Sequence, residues 1–392
     1  MPKVLILSNK VPYPSKDGSS IAMARLLENL LDIEDCSITY GALNTLKHRK
    51  SIDEFPKEIL NRIDLHSFKV NTSPTIFNGL HNLLLTKAPF NTIRFFVEPM
   101  KQWLEGYENN FFDLTVIEGA FMGDYLSLAQ EKSKKVVLRA HNLEHKIWER
   151  SFENTRSVLK KWYFKTQAKR LKIFETLLCK QVDAIWSISP VDSHWFEALN
   201  KHTCFIPVSI HAEDPKFSIA KNKCFFLGAL DWHPNIESVE WFLKHVWPII
   251  TAANPEMEFH IAGNNTPKYL EQLQVRNVVV HGRVPSAKDF AEQHGISIIP
   301  LLSGSGVRIK LLENGSQGIP TVSTSVGAEG IYSKGSNIIP ITDTPQEMAE
   351  VILQLASDLD RTFSIAQAFH EDIKARFSPT TSIQTIQQAW PI

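Results

Sequence analysis

The sequence lacks the marks of several protein classes. Its 392 residues include only four cysteines, Cys36, Cys179, Cys204 and Cys224, with no C-x-x-C or other ligand spacing. That argues against a disulfide scaffold and fits a reducing compartment. Charge of one sign is missing too: Lys and Arg total 42, Asp and Glu total 42, and the formal net charge is +0. A balanced chain is a poor match to a protein that coats nucleic acid, so nucleic acid is not an expected partner. No stretch approaches the ~18 apolar residues of a spanning helix. The opening MPKVLILSNK has an apolar run of only about five residues, shorter than a signal peptide requires. The expectation is a cytoplasmic chain, with peripheral contact at the inner membrane face left open. Short repeats and low-complexity tracts are absent as well. What remains is ordinary globular composition, 43% hydrophobic and 21% charged, with length for two to three domains.

Val4–Ser8 (VLILS) is a short, nearly continuous apolar run, as expected of a strand buried on both faces of a parallel sheet. A loop with Pro12, Pro14 and Gly18 follows, then IAMARLLENLL with helical apolar spacing. The pattern returns as LTVIEGA (114–120), KVVLRAHN (135–142) and DAIWSIS (183–189). After a loose stretch, 206–223, a second series runs CFFLGAL (224–230), MEFHIAG (257–263), NVVVHG (277–282), GISIIPL (295–301), IPTVST (319–324) and NIIPI (337–341). Helical patterns such as SVEWFLKHVWPII and PQEMAEVILQLASDL separate these runs. Two series of alternating strands and helices predict an α/β protein of two Rossmann-like domains facing each other, residues 1–206 and 207–376.

The segment 146–172 differs in kind. Lys146, Arg150, Arg156, Lys160, Lys161, Lys165, Lys169, Arg170 and Lys172 stand against Glu149 and Glu153. Trp148, Phe152, Leu159, Trp162, Tyr163 and Phe164 are interleaved with them. A basic, aromatic helix suits an anionic membrane surface. The plainer reading is a solvated helix that packs its aromatics on the first domain.

The richest stretch for chemistry is 300–331, PLLSGSGVRIKLLENGSQGIPTVSTSVGAEGI. A buried strand leads to Ser303-Gly304-Ser305-Gly306, and a helix follows. Small residues there let backbone amides approach a phosphate, and a helix N-terminus adds partial positive charge. Arg308 and Lys310 fall in or beside the first turn, where the helix dipole disfavours cations unless an anion neutralises them. Lys310 and Glu313, three apart on one helical face, also suit a simple ion pair.

This stretch resembles the donor-binding region of the retaining glycosyltransferases of family 4, which have the GT-B fold. Further matching pieces are FFLGALDWHPNIESVEWF (225–242), HIAGNN (260–265), VVVHGRVPSAKDF (278–290) and RAHNLEHKIWER (139–150). The resemblance implies two facing Rossmann-like domains and a C-terminal segment, 377–392, whose helix returns to the first. It implies a nucleotide diphosphate sugar as donor, a glycan or lipid-linked acceptor, and neither cofactor nor metal. Carried over, it gives Glu313 the ribose hydroxyls and Arg308 and Lys310 the diphosphate, where preorganised charge stabilises the leaving group. Gly228 would let the backbone approach the phosphates, with Ser305 and Gly306 opposite, and Gly18 and Ser19 would close over them. Arg283 and Val284 would border the base, and His141, at the end of KVVLRAH, would orient the donor sugar. The epimerase branch of the same fold and a non-catalytic nucleotide-sugar binding protein fit the same residues.

Three stretches depart from the family pattern. Ser305 stands where many members carry a glutamate that contacts the donor sugar. The loop 228–235, Gly-Ala-Leu-Asp-Trp-His-Pro-Asn, lacks the usual arginine and lysine, so Arg308 and Lys310 are expected to supply the cations instead. Asn314-Gly315-Ser316 are poor helix formers where the family has better ones. A reading of another class rests on His141-x-x-Glu144-His145, the H-x-x-E-H pattern of zinc peptidases. Asp358-Leu359-Asp360 is a D-x-D, the metal motif of other glycosyltransferases, placed far from any strand end.

Overall fold

Apolar strands alternating with helices build two units, each around its own parallel sheet: Met1–Ser209 with Thr380–Ile392, and Ile210–Pro379. The computed structural model describes residues 2–390 except 16, 47, 48, 74, 156, 213, 214, 216, 218, 219 and 305, without the side chains of 76, 77, 80 and 154. Ser305 and Arg156 therefore lie outside the described residues.

The first sheet comprises β1 (Lys3–Ser8), β2 (Ser37–Thr45), β3 (Ile63–Val70), β4 (Phe112–Glu118), β5 (Ser133–Ala140), β6 (Ala184–Ser187) and β7 (Thr203–Phe205), in the order β3-β2-β1-β4-β5-β6-β7. Alternate residues of one strand feed opposite cores. Val4 and Ile6 pack with Tyr40, Val116 and Trp186, whereas Leu5 and Leu7 pack with Leu43, Ile117 and Leu138. Burial on both faces is why the run VLILS is unbroken by polar residues. The loop after β1 is held by Lys50, whose Nζ donates to the carbonyls of Val11 (2.9 Å) and Pro14 (2.7 Å).

The C-terminal helix, Pro379–Gln388, joins this unit through a buried polar chain. Asn29 Nδ2 donates to Ser382 Oγ (2.8 Å), Ser382 Oγ donates to the Pro207 carbonyl (3.0 Å), and Ser209 Oγ donates to Asn29 Oδ1 (3.0 Å). Ile386 is fully buried in the core beneath.

The second sheet comprises β8 (Lys223–Leu227), β9 (Glu258–Ala262), β10 (Val278–Gly282), β11 (Ile296–Ile299) and β12 (Thr321–Ser323), in the order β10-β9-β8-β11-β12. Phe226, Phe259, Ile261 and Val322 fill one face; Phe225, Ala262, Phe290 and Ile319 fill the other. The pattern SVEWFLKHVWPII is not one regular helix. Helix His233–Trp241 passes through a π turn, Phe242–Val246, into helix Trp247–Ala253. Pro248 supplies no amide hydrogen and its ring crowds the preceding turn, which accounts for the widened turn.

Three strands were not foreseen and one expected strand is missing. NIIPI forms only an isolated bridge, Ser323 to Ile341. Pro340 within the run removes a ladder donor. The basic segment is two helices, Glu144–Asn154 and Val158–Gln181, rather than one.

Candidate functional site

In each sheet the strand order reverses once, between β1 and β4 and between β8 and β11. At such a switch point adjacent loops diverge and leave a crevice at the carboxyl edge. Both crevices hold chemistry-bearing residues, and each unit is considered alone.

In the first unit a cavity of about 530 Å³ opens there, lined among others by Asn9, Lys10, Ser19, Arg94, Glu118, His141 and Glu144. Glu118 ends β4 and His141 directly follows β5. His141 Nε2 lies 2.5 Å from Glu118 Oε2, and Arg139 Nη1 donates to Glu118 Oε1 at 3.1 Å. Burial pushes the Glu118 carboxyl up, but Arg139 and then His141 outweigh it and hold the group below the usual carboxylate range. Glu118 is thus a buried anion that fixes the imidazole of His141 at the cavity wall. Glu118 stands within LTVIEGA, and its role is not evident from the sequence pattern alone. A carboxylate closing a buried strand was the available signal.

Gly18 is the exposed first residue of helix Gly18–Leu31, and Ser19 lines the cavity. Asp17 caps that helix through Ser20 N (2.9 Å) and pairs with Lys10 Nζ at 2.8 Å. The helix N-terminus therefore already has a carboxylate.

The H-x-x-E-H reading fails on geometry. His141 lies outside helix Glu144–Asn154, and its partner is Glu118. His145 Nδ1 is 2.7 Å from Glu175 Oε2, a carboxylate of the following helix that also accepts from the amides of Glu144 and His145, both at 2.9 Å. Glu175 caps this helix from outside, so the two histidines serve different anions. Asp358 likewise caps helix Leu359–Phe377, accepting from Arg361 N at 2.9 Å, which explains the D-x-D.

Glu144 is buried beside Glu175, and its carboxyl is pushed up to about 8, chiefly by burial and then by Glu175. The folded state therefore keeps a proton that the unfolded chain loses near pH 4.5, so stability falls as pH rises from there to about 8. Glu144→Gln removes this penalty. Its melting temperature is expected to exceed that of the wild type by a margin growing between pH 4.5 and 8. Equal pH dependence of Tm in the two proteins would contradict the assignment.

In the second unit the loop after β11 bends through Gly304 (φ +112) and Gly306 (φ +82) into helix Ile309–Ser316. A Cβ on Gly304 would come within 2.9 Å of Arg308 Nη2, so glycine serves both the backbone angle and the guanidinium. Arg308 is buried, 3.9 Å from Glu329 Oε2 and over the Trp232 ring at 5.9 Å. Lys310 Nζ donates to Asn235 Oδ1 (3.2 Å) and lies 4.5 Å from the Phe226 ring centroid. Gly228 makes room for it, since a Cβ there would meet Lys310 Nζ at 2.7 Å. Burial, then the Arg308 charge, lowers the Lys310 ammonium to about 7 against the opposing pull of Glu313. Two crowded cations, of which Lys310 has a depressed proton affinity, stand at a glycine-rich switch point, an arrangement chemically suited to an anion.

Glu313 occupies the second turn of the same helix, partly buried. The helix continues through Asn314-Gly315-Ser316 because each has a tertiary task. Asn314 Nδ2 donates to Ser297 Oγ (2.8 Å), and Gly315 lets Phe369 and Ile373 pack where a Cβ would come within 2.4 Å of Ile373. The His370 ring caps the helix at the carbonyls of Gly315 (3.2 Å) and Ser316 (3.1 Å). Arg283 and Val284 follow β10, two strands from β8. Arg283 is exposed, while Val284 packs against the Phe225–Phe290 cluster. Trp232, Asn235 and Glu329 were the residues missed here. Their signal lies in tertiary packing, not in spacing.

The basic helices divide their side chains between two tasks. Trp148 packs against Tyr163 (5.9 Å) and Phe164 (5.6 Å) between the two helices, and Arg170 caps a neighbouring helix through the carbonyls of Asn82 (3.1 Å) and Leu83 (2.9 Å). Val158, Leu159 and Trp162 instead stand 81%, 80% and 54% exposed. Among the described residues no helix is long and apolar enough to cross a membrane.

Residues 221–358 match the family described as Glycosyl transferases group 1. The chain is 24% identical over 378 residues to an uncharacterized 44.6 kDa protein in the cps region of Klebsiella pneumoniae, covering 93% of this chain and 94% of that one. Among solved structures it resembles sucrose-phosphate synthase of Thermosynechococcus elongatus, with a TM-score of 0.72 at 14% identity over 100% of this chain and 98% of that one. HepE of Anabaena, solved in complex with UDP and glucose, gives a TM-score of 0.65 at 14% identity over 99% of each chain. The fold is therefore α/β of the GT-B type, and the second unit carries the sequence pattern of group 1 glycosyl transferases.

Proposed function

We propose that this chain is a retaining glycosyltransferase that moves a sugar from a nucleotide diphosphate sugar to a glycan or lipid-linked acceptor in cell-surface polysaccharide or glycolipid synthesis. The observation that carries the reading is Lys310, drawn with Arg308 to the mouth of the β8–β11 crevice over Gly228. Support also comes from the UDP and glucose in the HepE complex and from the cps region of the Klebsiella relative.

In this reading Arg308 and Lys310 hold the diphosphate, and Lys310 replaces the cations that loop 228–235 lacks. Glu313 accepts hydrogen bonds from the ribose hydroxyls. Gly228, Ser305 and Gly306 admit the phosphates, Arg283 and Val284 border the base, and Gly18 and Ser19 close over the donor. His141, oriented by Glu118, hydrogen-bonds the sugar. The acceptor oxygen bonds the anomeric carbon on the face from which the phosphate departs, and the leaving phosphate takes the acceptor proton. That route needs no second carboxylate about 5 Å from a first, as a double-displacement glycosidase does. Neither cofactor nor metal takes part in the transfer.

Incubation with UDP- and GDP-sugars and membrane-extracted acceptors, with products followed by mass spectrometry and anomeric NMR, tests this. Transfer with retained configuration, unchanged by EDTA, is expected. An inverted product, EDTA-sensitive transfer, or donor isomerised without transfer overturns it.

The acceptor is presented at the cytoplasmic membrane face, where Val158, Leu159 and Trp162 enter the interface beside Lys160, Lys161 and Lys165. Burying each apolar side chain contributes about 1.5–3 kcal/mol. The double variant Leu159→Glu/Trp162→Glu is therefore expected to lower partition onto anionic vesicles more than about tenfold. Equal sedimentation of both proteins with vesicles would contradict the contact.

A further inference from the structure

We propose that His260, His281 and His294 of the second unit form a binding site for one divalent transition-metal ion of the zinc type, apart from the donor crevice. The expectation of no metal concerned glycosyl transfer, and this site adds a different role.

Three elements bring the imidazoles together. His260 lies in β9. His281 is the extra residue of a bulge in β10, because Val280 pairs with Ile261 and Gly282 with Ala262. His294 ends helix Ala287–His294. One ring nitrogen from each lies within 4.8 Å of the others, and His260 Nδ1 is 2.9 Å from His281 Nε2.

The outer hydrogen bonds fix which nitrogens face inward. His260 Nε2 is 3.1 Å from Glu258 Oε2, and His294 Nδ1 is 2.6 Å from the Phe290 carbonyl. A carboxylate and a carbonyl only accept, so those nitrogens carry the hydrogens. His260 Nδ1 and His294 Nε2 therefore present lone pairs, and His281 Nε2 donates to His260 Nδ1 at 2.9 Å, a hydrogen that moves to His281 Nδ1 when an ion takes its place. This is the arrangement of metal-ligating histidines, whose second nitrogen donates to a carboxylate or a backbone carbonyl.

Access agrees with this arrangement. Zinc binds imidazole nitrogen at about 2.0–2.1 Å, which sets tetrahedral ligand nitrogens about 3.3 Å apart. Small side-chain adjustments reach that spacing. His281 is exposed, leaving a fourth position to water, while Phe290 stacks on His294 at 4.1 Å and closes the inner side. A bound ion would tie the edge strand β10 to β9 and to the helix, two residues before Arg283.

The test titrates the untagged chain, freed of metal by chelator, with Co²⁺ and Zn²⁺. It follows Co²⁺ visible absorption and competition with a chromophoric chelator. One Co²⁺ per chain with four-coordinate bands, displaced by Zn²⁺, is expected, together with a Zn²⁺-dependent rise in Tm. His281→Ala, at an exposed position, should abolish the spectrum and the rise in Tm. Glu258→Ala should weaken affinity about 10–100-fold. Absence of stoichiometric binding by the wild type, or an unchanged spectrum in His281→Ala, overturns the proposal whether or not the chain transfers sugar.

Discussion

Replacing Lys310 by alanine is expected to lower kcat/KM for glycosyl transfer by about 10²–10³-fold. The ammonium sits over Gly228, steadied by Asn235 and Phe226, and cannot leave without opening a gap at the crevice mouth. With the diphosphate role proposed for it, its loss removes one charge-assisted contact, about 1.5–3 kcal/mol, and is expected to weaken nucleotide binding about 10–100-fold. The further loss in rate reflects charge that grows on the departing phosphate.

The same lysine makes binding pH-dependent. Burial and Arg308 bring its ammonium to about 7, whereas a bound diphosphate favours the charged form. Binding above pH 7 therefore takes up a proton, and affinity declines as pH rises beyond 7. Calorimetry in buffers of different ionisation enthalpy should register this proton in the wild type and lose it in Lys310→Ala. Identical proton uptake in both proteins would assign the titration to another group.

The second large effect concerns stability. Glu118→Ala is expected to destabilise the first unit by about 3–5 kcal/mol, because it leaves the Arg139 guanidinium buried without its anion. Among the described residues Arg139 Nη1 then keeps only the Ala22 carbonyl at 2.8 Å. Urea unfolding followed by circular dichroism measures the loss. A midpoint within error of the wild type would mean that the pair contributes little. Because the folded carboxyl lies below its unfolded value, the stabilisation is present above the unfolded pKa and fades as pH falls through the folded one. The variant should therefore show a shallower acid transition.

What could be read from the sequence follows from burial. Strands covered on both faces, such as VLILS and CFFL, appear as continuous apolar runs. β2 was missed because SITYGALNT spreads small and polar residues along a strand that is nonetheless buried at eight of its nine positions. β3 was missed because it is an edge strand whose residues are half-buried or exposed and none buried. NIIPI misled for the opposite reason, being apolar but interrupted by proline.

The candidate site divides in the same way. Arg308, Lys310 and Gly304 stand close in the chain, and the helix dipole makes their charge conspicuous. Glu329, Trp232 and Asn235 reach them only through folding, so nothing in their local spacing announces them. Asn314-Gly315-Ser316 looked like a weakened helix because propensity does not register the partners Ser297, Ile373 and His370. The histidines at 260, 281 and 294 have no metal-binding spacing, since three separate elements bring them together.

The most direct test of the central claim is calorimetric titration of the purified chain with UDP and with GDP, each with and without EDTA, for wild type and Arg308→Ala. Saturable binding of one nucleotide, indifferent to EDTA and lost in the variant, is expected. Binding of neither nucleotide, or equal binding by wild type and variant, would contradict it.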